Sequence, residues 1–206
     1  MTTIAIYPGR FQPFSLNHLA VWEYISNNPL FDECFIATSS KVDLSLDKNN
    51  NPRSPFSFYQ KQKFAESLGI SSESFIMSRT PYIANEVLQD FDPDEDVVVY
   101  IVGKQDMVSK NGRSPRFQVG KSVDGIKKNG DPTYFKMFNQ FDELIPFAKH
   151  GYIMQAPQIH RLLPDNTKSS GTNTRAYLKN CDYNNFNYIY PSISPGVYEM
   201  LKDVLA

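Results

Sequence analysis

The chain has 206 residues, of which 41% are hydrophobic and 14% aromatic, which is enough for one domain with a real core and too apolar for a disordered polymer. Its 21 Lys and Arg residues are balanced by 22 Asp and Glu residues, and a net charge of -1 gives no support for chain-wide electrostatic binding to nucleic acid or to an acidic membrane. Two cysteines, Cys34 and Cys181, cannot build a disulfide framework. Because neither a signal peptide nor the ~20 apolar residues of a membrane helix is present, we expect a soluble, cytoplasmic protein.

Short apolar runs alternate with longer amphipathic ones, a pattern typical of βαβ units. Five strands are predicted in chain order: Thr3–Tyr7, Cys34–Thr38, Ser74–Met77, Val97–Val102 and Gly151–Gln155. The clearest is Val97–Val102, which has six apolar residues, five of them β-branched. Continuous apolarity of this kind predicts a central parallel strand that is covered on both faces.

Helices are predicted between and after these strands, at Leu19–Ile25, from Ser54 to about Leu68, and at Ile83–Leu88, Thr172–Leu178 and Pro195–Leu205. Ser54 and Pro55 indicate a helix start, because a serine hydroxyl can cap a helix and proline is favoured in its first turn. The polar run Asp47–Arg53 predicts an exposed loop.

The region 104–149 shows no clear period and is interpreted as an insertion with one strand and one helix around Pro132–Phe141. The whole chain, 1–206, is therefore predicted to be a single α/β domain. Its core would be a doubly wound, Rossmann-like parallel sheet of about five strands, with the insertion before the last core strand and a helical C-terminal end. Ligands are expected at the carboxyl ends of the strands.

The segment Tyr7–His18 connects the first predicted strand to the first helix. Gly9 and two prolines stiffen the turn, and His18 falls in the first helical turn, where backbone N–H groups favour an anion. An imidazole at this position can donate to a phosphate oxygen, although a histidine taken alone is better explained as a helix-start residue packed against its own loop. Ser15 can contact the same phosphate, cap the helix, or do both.

The segment Lys168–Arg175 follows the last core strand and opens a helix. Its hydroxyls and Gly171 can hold phosphate through backbone and side-chain groups. Arg175 lies three residues after Thr172 on the same helical face, where a guanidinium can bind a polyphosphate; the alternative is a surface charge. Neither segment is a dinucleotide glycine fingerprint, and Gly103-Lys104 lacks the earlier glycine and the following hydroxyl of a P-loop.

In this order and on this predicted architecture, the two segments resemble the nucleotidylyltransferase superfamily. Its members carry a His/Thr-x-Gly-His motif after the first strand and an Ile-Ser-Ser-Thr-x-x-Arg motif near the end. Gly9–Phe14 and Ser170–Arg175 are most similar to nicotinamide mononucleotide adenylyltransferases, chiefly archaeal ones, and to phage-encoded relatives. Val102–Asp106 is similar to the family's Gly-x-Asp signature with one residue inserted. Ser15 and Asn17 depart from the first motif, since they stand at its His/Thr and its glycine.

The resemblance implies an enzyme of NAD biosynthesis that transfers AMP from ATP to a phosphorylated small molecule such as nicotinamide mononucleotide, with release of pyrophosphate. Cytidylyl transfer from CTP to a phosphorylated alcohol is the alternative, because the two reactions share a triphosphate site. The motif departures also leave open a catalytically silent nucleotide-binding or interaction protein. Magnesium is expected on the triphosphate oxygens and water without protein ligands. The resemblance also leaves a homo-oligomer open.

Residue roles follow from the same resemblance. His18, Ser15 and Arg175 are the catalytic candidates, the first two at the α-phosphate and the third, with Thr172, at the β- and γ-phosphates. Lys41 and Lys104 are candidates for the acceptor. The other candidates for nucleotide binding are Gly9, Arg10, Phe11, Gly103, Asp106, Ser170 and Gly171.

Overall fold

Six parallel strands form the central sheet of the computed structural model, which describes residues 1–46, 52–107, 116–117, 134–140 and 143–205. The sheet order is β5-β2-β1-β6-β8-β7, and every neighbouring pair is parallel. These strands are β1 (Thr3–Pro8), β2 (Glu33–Thr38), β5 (Phe75–Met77), β6 (Val97–Val102), β7 (Phe135–Met137) and β8 (Gly151–Gln155). The predicted doubly wound parallel sheet is confirmed, with six strands rather than about five.

Two further strands, β3 (Asp43–Leu46) and β4 (Pro52–Ser54), form a separate antiparallel hairpin that was not predicted. Residues 47–51 of the polar run that predicts an exposed loop lie outside the described residues. Pro52 and Arg53 from the end of that run belong to β4.

Seven helices are present in the described ranges. They are α1 (Leu16–Ser26), α2 (Phe58–Ser67), α3 (Asn85–Leu88), α4 (Lys104–Met107), α5 (Gly171–Asn180), α6 (Tyr183–Ile189) and α7 (Pro195–Asp203). Among the residues that the structure describes, no helix has both the length and the apolarity to cross a membrane.

The strands β1 and β6 are buried along their whole length. Because successive side chains of a strand point to opposite faces, the two strands feed two cores. Ala5 and Val99 belong to the core under α1, α2 and the C-terminal helices. Ile6 and Tyr100 belong to the core on the other face, under α3. Cover on both faces explains why these strands read as continuous apolar runs.

The predicted helix start at Ser54-Pro55 is wrong, because the helix begins at Phe58. Ser57 accepts from the backbone N–H of Gln60, and the Gln60 side chain accepts from the Ser57 N–H at 2.9 Å, which completes a capping box. Phe56 stays outside the helix because its N–H and C=O both bond to the Gln12 side chain, at 2.8 and 2.9 Å.

Part of the predicted insertion, 104–149, completes the sheet. Phe135–Met137 forms the edge strand β7, which pairs in parallel with β8. Lys104–Met107 forms the short helix α4. The rest of the strand and helix predicted around Pro132–Phe141 lies partly outside the described residues.

The chain reverses its direction of travel across the sheet between β1 and β6. From β1 it adds β2 and then β5 on one side, and then crosses to β6 on the other side. A crevice forms where the strand order reverses, at the carboxyl ends of the two neighbouring strands. Gly9 follows β1 at this point and Gly103 follows β6.

Candidate functional site

A cavity of about 390 Å³ opens at the carboxyl ends of β1 and β6. Its wall contains His18 from the first segment singled out in the sequence, and Ser170, Thr172 and Arg175 from the second. Two segments more than 150 residues apart therefore meet at one hollow. The remaining lining residues include Tyr7, Pro8, Gly9, Arg10, Phe11, Gln12, Arg53, Tyr82, Gly103, Gln105, Asp106, Ala156 and Gly171.

His18 is held at the start of α1 by a capping box with Ser15. The Ser15 backbone N–H donates to His18 Nδ1 at 3.0 Å, and the Ser15 hydroxyl accepts from the His18 N–H at 3.4 Å. Because Nδ1 accepts a hydrogen bond, the neutral imidazole carries its proton on Nε2. The ring thus keeps one N–H donor for a ligand.

Aromatic rings surround His18. The ring centroids of Phe11 and Phe14 lie 5.1 and 5.5 Å from the imidazole centroid, and that of Tyr7 lies 6.4 Å away. This apolar enclosure disfavours the charged form, and burial lowers the pKa of His18 to about 4. Phe11, a predicted nucleotide-binding residue, lines the cavity but is only 4% exposed and packs mainly on these rings.

The low pKa of His18 gives the first testable prediction. In an NMR titration its imidazole signals, assigned with the His18→Ala variant, are expected to be constant from pH 6 to 8 and to shift with a midpoint near 4. Since the folded-state pKa lies below the ordinary value of about 6.5, the free energy of unfolding is expected to fall as pH drops from about 6.5 to about 4. A midpoint above 6 would contradict the apolar enclosure of the ring.

Ser15 is only 1% exposed and is not among the described residues that line the cavity. Its hydroxyl lies 3.0 Å from His18 Nδ1. Of the two roles open to Ser15 from the sequence, the geometry favours the helix cap. The Ser15 hydroxyl thus lies against the His18 ring within the capping box.

Asn17 joins α1 to the segment that precedes α5. Its side-chain NH₂ donates to the Ser169 carbonyl, and its side-chain oxygen accepts from the Arg161 N–H at 2.6 Å. Asn17 is not among the described cavity-lining residues. A glycine at this position would lose both bonds.

The start of α5 packs directly on the loop that follows β1. A Cβ atom on Gly171 would lie 2.8 Å from the Gln12 carbonyl oxygen, so this close approach requires glycine. Arg175, 6% exposed, donates to the same Gln12 carbonyl and, at 3.4 Å, to the Thr172 hydroxyl. The guanidinium is therefore fixed between the two segments and forms part of the cavity wall.

Two further positive features face the same cavity. Ser170 caps α5, and the positive end of the helix dipole lies at the cavity wall. Arg53, on the hairpin strand β4, also lines the cavity. The sequence did not single out Arg53 as a site residue, because an arginine in a polar run carries no signal of which residues the folded hairpin brings near it.

A larger cavity of about 1400 Å³ adjoins the first one. The two share five lining residues: Gly9, Arg10, Tyr82, Gln105 and Asp106. The larger cavity combines cationic side chains with aromatic rings, namely Arg10, Lys41, Arg79 and Arg116 with Tyr82, Tyr100, Phe117, Tyr134, Phe135 and Phe147. The structure thus places Lys41 here, whereas Lys104 is not among the described lining residues of either cavity.

Asp106 lies at the boundary between the two cavities. Its Oδ1 is 3.2 Å from Arg116 NH1, and the Arg116 guanidinium lies 3.8 Å from the centroid of the Tyr82 ring. Burial raises the pKa of Asp106, and the Arg116 charge opposes that shift. The cluster therefore places one carboxylate and one aromatic ring on the shared wall, with the Arg116 cation beside them on the wall of the larger cavity.

No protein-family model matches the sequence, and no curated protein matches it. Similar solved structures include a putative nicotinate-nucleotide adenylyltransferase from Vibrio parahaemolyticus, at 19% identity and a TM-score of 0.47, covering 98% of this chain and 99% of that one. Another is a Plasmodium falciparum nicotinic acid mononucleotide adenylyltransferase complexed with NaAD, at 14% identity and a TM-score of 0.48, covering 99% and 94%.

A third similar structure is a bifunctional NMN adenylyltransferase/ADP ribose pyrophosphatase from Francisella tularensis complexed with AMP and a manganese ion. It is 16% identical with a TM-score of 0.44, and the match covers 98% of this chain and 52% of that one. At such identities and TM-scores, these similarities assign neither an activity nor a residue role to the present chain.

Proposed function

We propose that this protein is a nucleotidyltransferase that moves AMP from ATP to a phosphorylated small molecule such as nicotinamide mononucleotide and releases pyrophosphate. The observation that carries the proposal is the convergence of His18 and Arg175 on one cavity of about 390 Å³, open to a larger one beside it. Direct transfer between two substrates requires adjoining sites of this kind, because the reacting groups must meet without an intermediate carrier.

The smaller cavity suits the triphosphate. Arg175 and Arg53 supply positive charge from opposite parts of the chain, and the N-terminus of α5 supplies the positive end of a helix dipole. We assign these groups to the β- and γ-phosphates. His18 Nε2–H is assigned to an α-phosphate oxygen, where negative charge builds up in the transition state.

The reaction would be a single displacement. A phosphate oxygen of the acceptor attacks the α-phosphorus, a new P–O bond forms, and the bond from that phosphorus to the bridging oxygen of pyrophosphate breaks. No covalent enzyme intermediate is needed. The protein contributes positioning and charge stabilisation, as is usual in phosphoryl-group chemistry.

The larger cavity suits the acceptor. Its cations, among them Lys41 and Arg79, can bind a phosphate, and its partly exposed aromatic rings, such as Tyr134 and Phe147, can stack on a planar ring. An acceptor that combines a phosphate with an aromatic ring uses both properties. A phosphorylated aliphatic alcohol would leave the aromatic wall without a partner.

We assign a magnesium ion to this site as a companion of the triphosphate. No group of three or more His, Cys, Asp or Glu side chains able to hold a metal occurs in the described part of the chain. Asp106 is the carboxylate on the wall of the smaller cavity, and Arg116 pairs with it. When bound, the ion would neutralise phosphate charge through phosphate and water oxygens, as this small hard cation prefers.

The test is a pyrophosphate-release assay with ATP or CTP against a panel of phosphorylated acceptors. We expect release with ATP and nicotinamide mononucleotide, with the dinucleotide as product. Release with CTP and a phosphorylated alcohol would replace the adenylyl assignment by the cytidylyl one. Calorimetric binding of ATP without release for any acceptor would identify a silent nucleotide-binding protein instead.

A further inference from the structure

Lys61 is a lysine on α2 that is buried to 1% exposure beneath the carboxyl ends of β1 and β2. Lysine is almost never fully buried unless its ammonium group finds partners. Here the ammonium donates to the Thr38 hydroxyl at 2.8 Å, to the Arg10 carbonyl at 3.4 Å and to the Ser39 carbonyl. Burial lowers the pKa of Lys61 to about 8.

The three acceptor oxygens lie at the carboxyl ends of two neighbouring strands, since Thr38 is the last residue of β2 and the other two residues lie on the loops that follow β1 and β2. Arg10 follows β1 and lines both cavities, and Ser39 follows β2 and lines the larger one. The Thr38 hydroxyl also donates to the Arg10 carbonyl, at 3.3 Å. The Lys61 ammonium and this hydroxyl together tie the loop after β1 to the loop after β2.

These acceptors are neutral oxygens, so the ammonium is solvated by the protein rather than neutralised by a carboxylate. A well-packed apolar side chain is often no less stabilising than a buried charge. Stability therefore gives little reason for a lysine at this place. The position of Lys61 at the junction of two cavity-lining loops instead indicates a role in holding those loops in place.

We propose that Lys61 is a positioning residue for the acceptor, because it fixes the distance across the larger cavity between Gly9-Arg10 on one loop and Ser39–Lys41 on the other. This role rests on the proposed function. In the smaller cavity, His18 is held by the Ser15 backbone N–H and Arg175 by the Gln12 carbonyl. These two bonds do not involve Lys61. Gly9 and Arg10 line both cavities, whereas Ser39 and Lys41 are described only on the wall of the larger one, so the effect should fall more on the acceptor than on ATP.

The experiment compares Lys61→Met, which keeps the length of the side chain without its charge, with Lys61→Arg, which restores the charge. Lys63→Met is the matched control, because Lys63 lies on the same helix with a side chain 39% exposed. For Lys61→Met we expect the acceptor KM to rise about tenfold and the ATP KM to change less than about threefold. Lys61→Arg should recover most of the loss, and Lys63→Met should match wild type.

Thr38→Val provides a second variant if Lys61→Met does not fold. It removes the linking hydroxyl at constant shape and should raise the acceptor KM about threefold. An unchanged acceptor KM in folded Lys61→Met overturns the proposal. If Lys61→Met does not fold, an unchanged acceptor KM in Thr38→Val overturns it instead. An equal rise of the acceptor KM and the ATP KM also overturns it. If wild-type protein shows no turnover with any acceptor, that result contradicts the proposed function. Turnover by wild type with an unchanged acceptor KM in the variants contradicts only the role of Lys61.

Discussion

Replacing His18 by alanine is expected to lower kcat by about 10²-fold or more and to leave the affinity for ATP within about threefold. The expected loss is in kcat because the Nε2–H donor is assigned to the charge that develops on the α-phosphate in the transition state. The ground-state triphosphate would still be held by Arg175, Arg53 and the start of α5. Steady-state kinetics together with calorimetric ATP binding measures the two effects separately.

The capping role of His18 needs its own control. His18→Ala removes one half of the box with Ser15, which should cost about 1 kcal/mol of folding free energy. His18→Gln keeps the box, because Gln60 plays the same part in α2 with Ser57. We expect the glutamine variant to be as stable as the wild type. Its kcat should lie between the kcat of the alanine variant and that of the wild type.

His160→Ala serves as a second control. His160 is exposed and is not among the described residues that line either cavity. The His160→Ala substitution should leave kcat unchanged. A wild-type kcat in His18→Ala would remove His18 from the catalytic assignment, whatever the stability of the variant.

Local sequence pattern predicted the buried strands well. Val97–Val102 has the predicted bounds because its apolar run coincides with burial on both faces. Where two signals competed, the prediction failed. Ser54-Pro55 is a plausible helix start by itself, but Gln12 holds Phe56 in a non-helical position, and that contact spans 44 residues of sequence.

The edge of the sheet was harder to predict. β7 is three residues long and lies within a region without clear periodicity. Its place is set by pairing with β8 and not by its own pattern. The hairpin of β3 and β4 was not predicted either, because its strands have only four and three residues. Apolar side chains of β3 such as Leu44 are exposed, so no burial in the core accompanies the strand.

For the candidate site, the sequence pointed to the two segments that now line one cavity. It could not show that Ser15 is buried as a cap, that Asn17 bridges to Ser169 and Arg161, or that Arg53 faces the same hollow as Arg175. The cap at Ser15 joins residues three apart and was one of the roles that the sequence left open, whereas the other two contacts depend on distances between residues that are far apart in the chain. Residue type and local spacing carry no information on such distances.

Replacing Arg175 by alanine is expected to weaken ATP binding by about 10²-fold, since charge-assisted hydrogen bonds to phosphate contribute roughly 1.5–3 kcal/mol. It should also destabilise the fold, because the buried Gln12 carbonyl loses a donor and the contact between α5 and the loop after β1 is weakened. Calorimetric titration with ATP and thermal denaturation give the two numbers.

Arg53→Ala separates binding from folding. Arg53 is exposed on β4 while still lining the cavity, so its loss should weaken ATP binding by about tenfold with little change in stability. Arg161→Ala makes the same change of charge at an exposed residue outside the described lining and should affect neither quantity. If folded Arg175→Ala binds ATP as tightly as Arg161→Ala does, then the guanidinium joins α5 to the loop after β1 and binds no phosphate.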